Sequence, residues 1–144
     1  MLIRLDACSS EYLKVLPGVD VDLRLVASDR PGTVRAPDLI VVNCASYERT
    51  CTDGGLLPAD DVVLAVEILS PSSRRTDSTI KHDEYSDAGI PHYWIVDIDG
   101  RTTLTACHLA GEFGYVDAPP SRAPSPPLIP SPSHWISTSW SDQR

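Results

Sequence analysis

Apolar residues are distributed along the chain in short runs that predict strands. Between Val19 and Leu25, apolar and charged positions alternate, which is the period-two pattern of a half-buried strand. A short apolar run follows at 39–42, directly after a Pro-Asp dipeptide. The longest apolar run, 62–69, reads VVLAVEIL and does not alternate, so it predicts a strand that is covered on both faces.

Two segments carry no strand pattern. Residues 1–14 are typical of the end of a helix followed by a short connection, and residues 45–60 are polar and interrupted by glycine and proline. The second segment therefore predicts a surface loop with room for one helical turn.

The middle of the chain predicts one helix. Ser72 or Ser73 can cap it, and Gly89, with Pro91 beyond, ends it near Ala88. Further strands, joined by hairpin turns, are predicted at 92–97, 101–108 and 113–116. The predicted order is three strands, a helix and three strands, which indicates an α/β (mixed α+β) fold with a mixed sheet and at least one covering helix.

The character of the chain changes at Pro119. Seven of the 13 prolines fall between Pro119 and Pro132, interleaved with serine, and no hydrophobic periodicity continues. We therefore predict a folded domain over residues 1–118 and an extended or disordered Pro/Ser-rich tail over residues 119–144.

The charge balance narrows the class of protein. With 12 basic and 20 acidic residues the formal net charge is −8, which argues against a protein that coats nucleic acid with a broad basic face. An enzyme that binds a phosphate group locally remains compatible, because a bound divalent cation reverses the sign of the local field.

The cysteines and the N-terminal sequence indicate the compartment. The four cysteines form no C-x-x-C pair, and no histidine lies at zinc-ligand spacing from them. The start, MLIRLDACSS, lacks the pattern of an export signal, and no window approaches the length of a membrane span. We expect a cytoplasmic protein with no membrane partner.

An acidic residue interrupts the longest apolar run. Glu67 lies between Val66 and Ile68, and an ionised carboxylate in such a strand must be paired, coordinated or protonated. Glu67 is therefore a candidate metal ligand. The ordinary alternatives are a position at the strand end or an ion pair with a nearby arginine such as Arg74.

Asp38 is the second candidate acid. Pro37 holds it in an extended conformation at the start of the run 39–42, although Pro-Asp is also a common turn dipeptide. If the strands at 39–42 and 62–69 are neighbours, the two carboxylates converge. Two hard oxygen ligands at one point suit a magnesium ion.

One face of the predicted helix carries Asp77, Lys81 and Tyr85, which are spaced four apart. On spacing alone, an ion pair on a solvated surface is the simpler explanation. If this face packs towards the preceding strand, the Lys81 ammonium lies beside the metal, where it can orient an attacking water or stabilise developing charge. Asp38, Glu67 and Lys81 are thus the predicted catalytic set, with the two acids as ligands of Mg²⁺ or Mn²⁺.

Two segments carry a family resemblance. VRAPDLIVV, followed by VVLAVEILSPSSRRTDSTIKHDEYSDAGIPHYWIVDID, resembles the Uma-type restriction endonucleases, a bacterial branch of the PD-(D/E)XK nuclease superfamily. The resemblance runs from about Val15 to Val116 and is densest from Val62 to Asp99. The combination of E-x-L-S-P-S-S, a D-x-x-x-K-x-x-x-Y helix and G-I-P-x-Y-W-x-V-D is specific, whereas each piece alone is weak.

The resemblance implies a restriction-endonuclease-like mixed β-sheet flanked by helices. It assigns Asp38 and Glu67 to the two acids of the PD-(D/E)XK motif. The motif lysine would stand where this chain has Leu69, and in this branch it comes from the following helix, which points to Lys81. Asp77, as a residue that orients Lys81, and Tyr85 are implied as supporting residues. Relatives carry an N-terminal extension, so we expect an incomplete N-terminal helical part.

Two further groups are candidates. Arg74 and Arg75 precede the helix and can contact a nucleic-acid phosphate or neutralise a local acidic site. His82 and His92 are possible acid-base groups, but their positions favour solvated side chains.

Three functions are compatible with these patterns. The first is a magnesium-dependent endonuclease that hydrolyses DNA phosphodiester bonds, for which cleavage of both strands favours a homodimer. The alternative is a catalytically inactive remnant of the same fold that acts as an interaction module. A third is a small acidic binding protein in which Glu67 is only ion-paired.

Overall fold

The computed structural model of the chain describes residues 12–70 and 77–122, and for Asp77 and Ser78 it describes the backbone alone. Short 3₁₀ turns lie at Ala59–Asp61 and Gly111–Phe113. The strands and helices, in chain order, are β1 (Leu13–Pro17), β2 (Val21–Asp22), β3 (Val34–Arg35), β4 (Leu39–Asn43), α1 (Cys44–Asp53), β5 (Leu57–Pro58), β6 (Val62–Leu69), α2 (Asp77–Asp87), β7 (His92–Asp97), β8 (Thr103–Leu109), β9 (Tyr115–Asp117) and β10 (Ser121–Arg122).

Seven strands form one mixed sheet. Its order is β1-β4-β6-β7-β8-β10, and β9 also pairs with β8. β6 and β7 are parallel, whereas the other pairs in this sheet are antiparallel. Parallel neighbours need a crossover connection, and α2 lies in the connection between β6 and β7. The predicted mixed α/β, restriction-endonuclease-like architecture is confirmed. A smaller sheet has the order β3-β2-β5.

β6 is covered on both faces, as its continuous apolar sequence predicts. Ala65 belongs to the larger core cluster, together with Tyr85 and Tyr93, whereas Leu64 and Val66 belong to a second cluster. A side chain in this strand therefore enters the protein interior on either face, and the environment of Glu67 follows from that.

The prediction of a loop at residues 45–60 is wrong over its first half, where α1 forms a helix of 10 residues. Asn43 caps this helix, since its side chain accepts a hydrogen bond from the Ala45 amide at 3.0 Å. Gly54, at φ 77°, ends it. The cap, and not hydrophobic periodicity, was the signal of this helix in the sequence.

Two strand predictions also need correction. Of the strand expected at 19–25, only β2 forms. Arg24 has φ 52° and its amide donates to the Asp22 side chain at 3.0 Å, and this local turn takes the chain out of the sheet. β1 begins at Leu13, where a connection was expected, and pairs with β4. Residues 1–11 lie outside the described part of the chain.

The start of the predicted tail is extended and paired. Ser121 and Arg122 form β10 against β8, and residues 123–144 lie outside the described residues. Neither of the two helices of the described residues is long and apolar enough to cross a membrane.

A glycine cap fixes the C-terminal end of α2. The Ile90 amide bonds to the Tyr85 carbonyl at 3.1 Å, and the Gly89 amide bonds to the Ser86 carbonyl at 3.0 Å, with Gly89 at φ 77°. This is the Schellman arrangement, and its usual apolar contact is provided by Ile90 and Tyr85, which are both fully buried in one cluster. The cap thereby fixes the turn of α2 that carries Tyr85.

Replacing Gly89 with alanine is expected to destabilise the protein by about 1–2 kcal/mol, because an L side chain is strained at this positive φ. Urea denaturation would measure the change. Gly32→Ala is the matched control, since Gly32 is outside the left-handed region and an added Cβ meets only Asp22 Oδ1, at 3.5 Å. Equal losses in the two variants would contradict the role of the cap.

Candidate active site

The two predicted acids lie at the same end of neighbouring strands. β4 and β6 are antiparallel, with Leu39 opposite Val66, so Asp38 and Glu67 lie opposite each other one position further along the two strands. The Asp38 carboxylate accepts a hydrogen bond through Oδ2 from the Ile68 amide at 2.7 Å. The hypothesis that these two strands are neighbours is therefore correct, and the ladder register brings the acids together.

Glu67 is buried and has a partner on each oxygen. Its exposed fraction is 7%. Lys81 Nζ donates to Oε2 at 3.0 Å, and the Tyr85 hydroxyl donates to Oε1 at 2.9 Å. Both partners come from α2, so the face of this helix that carries Lys81 and Tyr85 packs towards the strand that precedes it.

The pKa of Glu67 is raised above its ordinary value. Burial is the largest cause, the hydrogen bonds from Lys81 and Tyr85 act against it, and the charge of Asp38 raises the pKa further. The ionised form of this carboxyl therefore lacks some of the stabilisation that water would give it. A cation placed between the two acids would supply that stabilisation.

The sequence-predicted residues divide into two groups. Lys81 and Tyr85 contact Glu67 directly, and Asp38 lies beside it in the ladder. Asp77 is the first residue of α2, but its side chain is outside the described part, as are Arg74 and Arg75 in their entirety. The alternative pairing of Glu67 with Arg74 concerns a residue that is likewise outside it.

An arginine that the sequence did not single out anchors α2 to the smaller sheet. Arg35, in β3, donates to both oxygens of Glu84 in α2, with N–O distances of 2.6 Å and 2.7 Å. Two parallel charge-assisted bonds fix orientation as well as distance. The residues are 49 positions apart, so no local pattern could have revealed the pair.

A second polar cluster lies along the same helix. His82 Nε2 is 2.8 Å from Asp117 Oδ1, and the His82 ring makes edge contacts with Tyr93 and Tyr115. Burial alone would lower the pKa of His82, but Asp117 and Asp83 hold it above its ordinary value. The expectation of a solvated His82 is wrong, because the side chain is only 23% exposed.

The donor atoms of the acid pair fit a magnesium ion. Asp38 and Glu67 provide hard carboxylate oxygens, which are the ligands that Mg²⁺ prefers. A carboxylate oxygen has two acceptor positions, so each Glu67 oxygen can accept beyond its single bond to Lys81 or Tyr85. Burial and the neighbouring Asp38 charge raise the pKa of Glu67, which means that they disfavour its ionised form. A bound divalent cation would favour the ionised form instead.

Comparison with known proteins gives one family. The family model described as "Uma2: Putative restriction endonuclease" matches residues 6–134 of the chain. No curated protein matches the chain.

Proposed function

The chain belongs to the Uma2 family of restriction-endonuclease-like proteins, and we propose that it is a nuclease that hydrolyses DNA phosphodiester bonds with magnesium or manganese. The observation that carries this proposal is the buried Glu67 carboxylate, which lies beside Asp38 in the sheet and 3.0 Å from the Lys81 ammonium. Two carboxylates that can hold a metal ion and an ammonium group that can act on the substrate, from three separate segments, are the groups that metal-assisted phosphodiester hydrolysis requires.

Asp38 and Glu67 would hold the divalent ion. When bound, the ion supplies the charge that polarises a phosphoryl oxygen and lowers the pKa of a water molecule. Asp38 has an oxygen engaged with the Ile68 backbone, which fixes its orientation relative to β6. Glu67 is fixed by two bonds from α2, so the acids are positioned by the sheet and the helix before any ligand binds.

Lys81 would act on the substrate. Its ammonium has three donors, of which Glu67 uses one, so two can orient the attacking water or bind a phosphoryl oxygen as negative charge develops. The side chain is 24% exposed, which gives a phosphate group access to it. The contact with Glu67 limits rotation of the Lys81 side chain, so this side chain loses little further conformational freedom in the transition state.

Four further residues have proposed supporting roles. Tyr85 holds Glu67 through Oε1 and so orients the carboxylate. From the sequence we propose that Asp77, one turn before Lys81, orients the lysine, and that Arg74 and Arg75 contact the phosphate backbone of DNA. A homodimer, with one site for each strand, is the assembly we propose for double-strand cleavage.

Magnesium is expected to raise the melting temperature of the full chain, because an ion that binds only the folded state stabilises it. Asp38→Asn and Glu67→Gln are each expected to remove most of this shift. The matched control is Asp61→Asn, which changes another acid, one that lies 3.8 Å from Arg49. A shift that survives in both site variants would exclude the acid pair as the metal site.

Plasmid nicking tests the reaction itself. We expect conversion of supercoiled DNA to the nicked form in the presence of magnesium or manganese, and no conversion when the metal is chelated. Metal stabilisation without nicking of DNA by the wild-type chain would contradict the nuclease proposal and favour the inactive remnant of the fold.

A further inference from the structure

A histidine, a cysteine and an aspartate converge on the side of α2 that faces β8 and β9. His82 lies on α2, Cys107 on β8 and Asp117 on β9. One ligand atom from each residue lies within 4.8 Å of the other two. None of the three takes part in the acid pair or in the proposed nuclease mechanism.

The sheet register produces this convergence. Tyr93, Cys107 and Asp117 are successive partners across β7, β8 and β9, so their side chains lie in one row on one face of the sheet. The ring contact between His82 and Tyr93 places α2 over that row. The residues are far apart in sequence, which is why no zinc-ligand spacing was visible among the cysteines and histidines.

We propose that His82, Cys107 and Asp117 form a site for one zinc ion, separate from the Asp38–Glu67 pair. An imidazole nitrogen, a thiolate and a carboxylate oxygen are the three ligand types that zinc takes in proteins, whereas magnesium does not favour sulfur or nitrogen. Neighbouring ligand atoms of a tetrahedral zinc site are about 3.3–3.7 Å apart, from the known bond lengths. Small side-chain movements therefore bring the observed set to that geometry.

In the metal-free state, protons occupy the positions that the ion would take. Asp117 accepts from His82, with 2.8 Å between Nε2 and Oδ1, and it also interacts with the Cys107 thiol. Burial and this hydrogen bond raise the pKa of Cys107 to about 12, so the group is a thiol at neutral pH. Zinc would displace the thiol proton and the histidine proton. Because both residues already interact with Asp117, the three ligand groups are oriented towards one another.

An unpartnered polar side chain adjoins this cluster. The Tyr93 hydroxyl is fully buried and is the only buried side-chain polar atom without a hydrogen-bond partner among the described residues. Tyr93 is the register partner of Cys107 and contacts the His82 ring. On the solvent side, His82 and Asp117 line a pocket of about 310 Å³ with Thr79 and Ile95, so an ion can enter and a water can complete its coordination.

Cobalt titration of the full chain under reducing conditions tests the site, because Co²⁺ replaces zinc and a cobalt–thiolate bond gives a near-ultraviolet charge-transfer band. We expect the band to saturate at one equivalent, to disappear when zinc is added and to resist excess magnesium. Cys107→Ala is expected to abolish it. Asp117→Asn, at a side chain that is 50% exposed and so tolerant of change, is expected to keep the band and weaken cobalt binding by roughly tenfold or more.

Two controls separate this site from other metal chemistry in the chain. Cys51→Ala removes an exposed thiol outside the cluster, and Glu67→Gln alters the acid pair, and we expect both variants to retain the band. Absence of the band from the wild-type chain, its persistence in Cys107→Ala, or undiminished cobalt affinity in Asp117→Asn would each overturn the zinc site. None of these outcomes depends on nuclease activity.

Discussion

Replacing Lys81 with methionine is expected to reduce metal-dependent DNA nicking by roughly 10²–10³-fold, which is the usual cost of removing one donor that stabilises transition-state charge. Methionine keeps most of the length of the lysine side chain and removes its charge. Because Asp38 and Glu67 remain, the magnesium-dependent rise in melting temperature should persist. Rates of plasmid nicking and melting curves with and without magnesium would measure the two effects.

The chain provides a matched control for this experiment, since Lys14 is its only other lysine. Lys14 lies in β1 and its ammonium is 4.6 Å from the ring centroid of Tyr47, away from the acid pair. Lys14→Met should nick DNA at the wild-type rate. Undiminished nicking in Lys81→Met would remove Lys81 from the mechanism. Simultaneous loss of nicking and of the magnesium shift would assign it a structural role.

Replacing Tyr85 is expected to have the largest effect on stability in the candidate site. Tyr85 is fully buried, and its hydroxyl donates to Glu67 Oε1 at 2.9 Å. Tyr85→Phe keeps the ring but leaves that oxygen without its donor, at a cost of about 1–3 kcal/mol. Tyr85→Ala also creates a cavity between α2 and the sheet, for which we expect a loss of about 3–5 kcal/mol.

Tyr93→Phe is the control for the hydroxyl. Tyr93 is equally buried and its ring packs edge-on against that of Tyr85, but its hydroxyl has no hydrogen-bond partner among the described residues. Its removal should leave the free energy of unfolding unchanged or raise it. Denaturant melts of the two phenylalanine variants would measure the difference, and equal losses in both would show that the bond to Glu67 contributes nothing specific.

The strands nearest the site could be predicted because their signals are local. The apolar runs at 39–42 and 62–69 correspond to β4 and β6, and the run at 92–97 is β7. The prediction that Asp38 and Glu67 lie together needed one assumption, that the strands at 39–42 and 62–69 are neighbours. The structure confirms it, because β4 and β6 pair antiparallel. The spacing of four residues predicted that Lys81 and Tyr85 share one face of the helix, but on spacing alone that face was expected at a solvated surface.

Other features depend on long-range register or on caps, which the hydrophobic pattern of the chain does not reveal. The helix α1 has an Asn43 cap, but its polar residues, followed by two glycines and a proline, suggested a loop. The bidentate pair of Arg35 and Glu84 joins segments that approach only after the sheet is built. His82 meets Asp117 because β7, β8 and β9 are aligned, and that alignment cannot be read from any one segment.

The Asp38 carboxylate takes the place of a backbone partner for the Ile68 amide at the point where β4 stops pairing with β6. An amide bonded in this way exchanges with deuterated solvent according to the state of one side chain, and not only according to local opening of the sheet. An ion that draws the Asp38 oxygen away would therefore change exchange at a single backbone position. Hydrogen exchange at the Ile68 amide would therefore report whether an ion occupies the proposed Asp38–Glu67 site.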